Sequence, residues 1–121
     1  MHSLTELRLE ITRINNQVNI EHYGYGVKSQ KVFFINDQII LILAHNRRVS
    51  ALNVLDKLGH DTRDINAVLM HSFKERLRQC LEEELRLDIS FVSKDYDTPT
   101  ETATTVIMLK KPLGLGNDTL R

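Results

Sequence analysis

The stretch NIEHYGYGVKSQKVFF, residues 19–34, sets Gly24 and Gly26 one residue apart, with Lys28 and Ser29 just beyond. Glycines beside a lysine and a serine are the material of a phosphate-cradling loop. In such a loop backbone N–H groups surround the anion and the lysine neutralises it. That chemistry needs a glycine, four residues, and then an unbroken Gly-Lys-Ser/Thr, between a strand and a following helix. Here Val27 separates Gly26 from Lys28, and no glycine stands at the earlier position. A helical pattern also precedes the glycines and a strand pattern follows them, the reverse of what a phosphate or dinucleotide loop requires. The favoured reading is a junction. Gly24 lets a helix end, Gly26 allows the turn into a strand, and Tyr23 and Tyr25 cover the rim of the core.

The remaining reactive side chains form no recognisable constellation. His2, His22, His45, His60 and His71 include no pair at metal-ligand spacing, and a lone cysteine builds no zinc site. Glu82, Glu83 and Glu84 read as a solvated helical face, and Asp95 and Asp97 as loop residues, so no carboxylate pair is placed across a cleft. Cys80 falls on an apolar helical stripe, which marks a buried structural thiol rather than an activated nucleophile. Arg47 and Arg48 directly follow an apolar strand, where an anion or an acidic partner could sit; a solvated strand end is the plainer reading. The threonine-rich segment 98–105 reads as a polar loop open to modification. The expectation is no catalytic residue, no metal, no cofactor, and hence no enzyme.

The totals narrow the field further. At 121 residues the chain is one domain, long enough to bury roughly two-thirds of its unfolded surface. Sixteen basic residues balance sixteen acidic ones. A duplex-binding domain draws most of its affinity from a basic stripe, so nucleic acid is an unexpected partner. A single cysteine precludes an internal disulfide and suits a reducing cytoplasm. The first residues, MHSLTELRLE, lack the basic-then-apolar pattern of a secretory signal. The longest apolar run, 39–44, is far too short to cross a bilayer.

The elements that must position these side chains follow from periodicity. Residues 3–22 predict a helix capped by Ser3 with Glu6 three residues on. Its seam of Leu4, Leu7, Ile11, Ile14 and Val18 lies either on a sheet, the favoured reading, or against a second copy. KVFFIN (31–36) and QIILILA (38–44) predict strands joined at Asn36-Asp37. The unbroken apolar run of the second predicts a central strand covered on both faces, by the chain's own helices or by a second subunit. A short helix around Val49, Leu52, Leu55 and Leu58 ends at Gly59, and a helix over 63–87 starts at an Asp61 or Thr62 cap. The stripe of that long helix comprises Ile65, Val68, Leu69, Phe73, Leu77, Cys80, Leu81 and Leu85. DISFVSKDY, with Ile89 and Phe91 alternating inward, and TTVIMLKK predict two more strands around the polar loop DTPTETAT. The fold class is α+β, two-layered, in the order α-β-β-α-α-β-β. An antiparallel sheet of about four strands carries helices on one face, with one domain over 1–111 and a flexible tail over 112–121.

HYGYGVKSQKVFFINDQIILIL, MHSFKERLRQCLEEEL and ISFVSKDYDTPTETATTVIML together resemble the MpsC-type domain, over roughly residues 4–110. Gly24 and Gly26 look like that family's Gly-x-Gly element, Arg76 or Lys74 like its basic position, and Asp95 like the aspartate after its third strand. Val27 stands where the family tends to carry proline, and HNRRVSALNVLD replaces its leucine-threonine segment with a glutamate. The resemblance implies an accessory role in membrane-potential generation or linked ion and inorganic-carbon transport, and carries over no catalytic residue. The resulting expectation is a cytoplasmic, homodimeric, non-enzymatic accessory protein that binds a protein partner, such as a membrane transport component, without entering the membrane. The alternative is a small-ligand or anion sensor using the Gly24–Gly26 turn with Lys28, Arg47 and Arg48.

Overall fold

The computed structural model describes residues 3–114. The elements are α1 (Leu4–Tyr23), β1 (Ser29–Phe34), β2 (Ile39–His45), α2 (Ser50–Lys57), α3 (Arg63–Leu85), β3 (Ile89–Asp97) and β4 (Thr102–Leu109). All strand pairings are antiparallel, and the sheet order is β1-β2-β4-β3. The α+β order and the four-stranded sheet are those the sequence predicts. The termini of the strands shift by one or two residues, and the loop expected over 97–104 shrinks to a turn at 98–101. Thr102 to Thr105 belong to β4, where Thr105 is buried among the apolar side chains.

α1 begins where Ser3 Oγ accepts from the Glu6 backbone N–H. It ends at Gly24, whose φ of 86° only glycine adopts without strain and whose N–H reaches Ile20 O at 2.9 Å. Leu7, Ile11, Ile14 and Val18 are buried in the one core, so the seam is spent on the chain's own sheet and on α3. α1 also lies along the edge strand. Arg8 Nε donates to Val32 O, and Gln30 Nε2 donates to Thr12 O, so parts of the β1 edge are covered rather than left open for pairing.

Gly26 is required for a different reason. A Cβ there would run into Asn16 Oδ1, which accepts from the Val27 N–H at 2.9 Å. The glycine pair is therefore a helix stop at Gly24, as the junction reading expects, followed at Gly26 by a close approach in place of the expected glycine turn.

Two helical expectations need correction. Ile65 and Val68 are 47% and 67% exposed, so only the second half of the α3 stripe, from Phe73 through Leu77, Cys80 and Leu81, is buried. The first turns of α3 extend beyond the cover of α1, and the short α2 shields little, having only Leu52 buried. Leu58, expected inside, is exposed.

β2 is central in the sheet, but the helices cover only one of its faces. Ile40, Ile42 and Ala44 are buried beneath them, while Leu43 is exposed on the other face, with Ile39 and Leu41 half-buried beside it. No element of the described chain lies over that second face.

β3 departs from simple alternation. A bulge falls between Ile89 and Phe91, so Ile89 pairs with Leu109 while Phe91 pairs with Met108. The extra residue, Ser90, reverses the parity downstream. Phe91, expected inside with Ile89, turns outward, and Val92, Lys94 and Tyr96 turn toward the helices. Asp95 and Asp97 lie within β3 rather than in a loop. Most of the expected tail, 115–121, lies outside the described residues. Leu113 packs partly against the core and donates to Asp37 O at 2.7 Å.

Candidate functional site

The parity reversal in β3 places a lysine on the apolar side of the sheet. Lys94 projects beneath α1 and α3, where Tyr23 and Phe73 stack with centroids 5.8 Å apart. Its Nζ lies 3.3 Å from the centre of the Phe73 ring and 5.3 Å from that of Tyr23. Cation–π contact returns part of the hydration that the ammonium loses. No carboxylate pairs with Lys94 among the described residues. Burial therefore pulls its pKa down from 10.5 to about 7, because an unpaired charge is disfavoured away from water. The same burial pushes the Tyr23 phenol up to about 12.

Lys94 lines a cavity of about 300 Å³ between β3, the β2–α2 connection and the first half of α3. Val49, Leu52, Leu69 and Met70 supply apolar wall, and Arg47, Arg48 and Arg63 supply guanidinium groups. A second depression of about 540 Å³ is lined by α3 residues alone and is a groove on its charged face, not an enclosed site.

The wall is held by a polar network. Asn46, 5% exposed, donates through Nδ2 to Asn19 Oδ1 at 3.0 Å and through its backbone to Glu101 O, and its carbonyl accepts from the Tyr96 hydroxyl at 2.9 Å. Asn19 in turn donates to Asn15 O, a pure acceptor, which fixes the orientation of both amides. Asn46 Oδ1 is thereby left buried without a hydrogen-bond partner. Through these bonds α1 and the β3–β4 hairpin anchor the segment that carries the two arginines.

The arginines have different duties. The Arg48 side chain is 8% exposed; it pairs with Asp56 at 2.6 Å and donates to Asn53 and Thr62. Thr62 closes the ring by donating to Asp56. Arg48 is thus a clamp joining the β2–α2 connection, α2 and the start of α3, and its charge is neutralised. Arg47 is exposed, with its guanidinium carbon 5.3 Å from the Tyr25 ring centre. Tyr25 also donates to Arg48 O, so the Gly24–Gly26 turn does reach the arginine pair. Lys28 is not among the groups around the cavity; its ammonium lies 3.7 Å from Glu101. Of the three expected ligand-binding residues, Arg47 and Arg48 come together at the cavity and Lys28 does not.

No family model, no curated protein and no solved structure matches this chain.

Sequence reasoning missed Lys94, Asn46 and Tyr96. By strict alternation from Ile89, Lys94 would face solvent; only the bulge at Ser90 turns it inward. The available signal was that Val92, Lys94 and Tyr96 share one parity, a valine and a tyrosine flanking a lysine. Among the described residues no three histidine, cysteine, aspartate or glutamate side chains converge as a metal site would need, and no helix is long and apolar enough to cross a membrane. Cys80 is buried, and burial raises its thiol pKa, as fits a structural residue.

Proposed function

We propose that this protein is a non-enzymatic binding module for a small organic carboxylate that has an apolar body. The observation that carries the reading is Lys94, a cation without a carboxylate partner on the wall of a 300 Å³ cavity with apolar sides. A bound carboxylate supplies the missing counter-charge and repays the desolvation of the ammonium, while its apolar body meets Val49, Leu52 and Met70. Arg47, at the rim, adds a second positive charge that no carboxylate among the described residues neutralises. This keeps the anion-sensor reading and moves its centre from Lys28 to Lys94.

A lysine of lowered pKa is also a competent amine nucleophile. Catalysis through it would need a group to carry protons. Among the described residues the cavity wall contains no histidine or cysteine, and strand alternation turns the Asp95 side chain to the opposite face of the sheet. The wall's two tyrosines are poor proton carriers: the Tyr96 hydroxyl is committed to Asn46 O, and burial pushes the Tyr23 phenol up to about 12. Binding is therefore the better account of the lysine. Titrating benzoate, phenylacetate and octanoate into the labelled protein tests it. The expected result is saturable shifts of the Lys94, Met70 and Leu52 signals, absent in Lys94→Met. Shifts confined to other surfaces, or none, would refute the assignment.

A further inference from the structure

The open face of the sheet carries three consecutive rows of side chains, fixed by the pairing registers. The first row is Ile35, Ile39, Met108 and Phe91; the second is Phe33, Leu41, Val106 and Ser93; the third is Lys31, Leu43, Thr104 and Asp95. Ile35 is 57% exposed and Phe91 46%, at opposite edges of the same row. In the third row Lys31 and Asp95 stand at opposite edges, both exposed, and neither has an ion-pair partner among the described residues.

We propose that this face is a two-fold interface with a second copy of this chain, the symmetry axis running parallel to the strands between the two sheets. Such an axis keeps every row level and exchanges the edges, so that β1 of one copy lies over β3 of the other and β2 over β4. Ile35 then meets the partner's Phe91, Ile39 the partner's Met108, and Leu41 the partner's Val106. Lys31 meets the partner's Asp95, and the symmetry makes that pair twice. An axis perpendicular to the strands inverts the row order, sets the charged row over the apolar one, and pairs neither charge. Sheets stacked this way sit about 10 Å apart and cross at about 30°, a displacement that a lysine side chain spans. The face measures about 20 Å by 20 Å, roughly 400 Å² per copy against the about 800 Å² per partner of a standard stable interface, so the dimer is a weak, reversible one. The Lys94 cavity lies on the helical side of the sheet and stays open in this dimer, so the inference does not depend on the ligand assignment.

Sedimentation across a concentration series tests the arrangement. The wild-type chain is expected to pass from monomer to dimer as the concentration rises. Lys31→Glu and Asp95→Lys, both on the exposed face, each weaken the dimer about tenfold through like-charge contacts, and the double exchange restores it. Phe33→Glu abolishes it. A chain that stays monomeric throughout overturns the proposal, including one that instead captures a different protein on this face. A dimer that Phe33→Glu leaves intact, or that the double exchange fails to restore, overturns it equally.

Discussion

The Lys94 ammonium sits 3.3 Å from the centre of the Phe73 ring, with no carboxylate beside it among the described residues. The free protein carries this arrangement at a cost. The amine titrates near pH 7 in the folded chain and near its ordinary 10.5 once unfolded. Between those values the unfolded chain holds more protons, so this group makes stability rise with pH from about 7 toward 10.5, with the full penalty present below 7. Lys94→Met keeps the volume and removes the charge. Denaturant unfolding should show the variant more stable by about 2 kcal/mol at pH 6, a value reduced from the full shift because the residue is partly exposed. The difference should shrink by pH 9.5.

The two adjacent arginines should separate by assay. Arg48→Ala leaves Asp56 and Thr62 without their clamp and should cost about 2 kcal/mol of stability in chemical denaturation. Arg47→Ala loses only a ring contact at the rim and should change stability by less than about 0.5 kcal/mol. It should weaken phenylacetate binding severalfold, read by titration.

Gly24 and Gly26 should respond differently to alanine. At Gly24 there is space for a Cβ but φ is 86°, so Gly24→Ala should cost about 1 kcal/mol. At Gly26 the new Cβ displaces Asn16 from its bond to the Val27 N–H, so Gly26→Ala should cost about 2 kcal/mol or more. Thermal unfolding of the two variants measures the order. Inorganic phosphate should stabilise neither the wild type nor these variants through this turn.

The Cys80 thiol is 7% exposed, and burial raises its pKa. An aromatic disulfide reagent at pH 8 should react with the native protein about a hundredfold or more slowly than with the urea-unfolded chain, followed by released chromophore.

Much of the fold was legible in the sequence because it is written in periodicity. The α1 seam, the Ser3 cap, the Gly24 stop and the four strands all follow from spacing and local propensity. What was not legible depends on tertiary placement. The bulge at Ser90 has no compositional mark, yet it moves Phe91 out and Lys94 in. The exposure of Ile65 and Val68 reflects where α1 stops covering α3, which a helical wheel does not contain. Arg48 and Lys28 looked alike as free cations, and only the fold brings Asp56 to one and Glu101 to the other. The run IILILA promised cover on both faces, and among the described residues one face is uncovered.

Lys94 holds a buried amine, unpaired among the described residues, that we propose is poised for an anion. The most direct test of this proposal is a pH titration of the Lys94 side-chain NMR signals, with and without saturating phenylacetate, benzoate or octanoate. A midpoint near 7 is expected in the free protein. At least one of these carboxylates should raise it by a unit or more, about tenfold in proton affinity, as the counter-ion arrives. A midpoint near the ordinary lysine value in the free protein, or one that none of the three carboxylates moves, would contradict it.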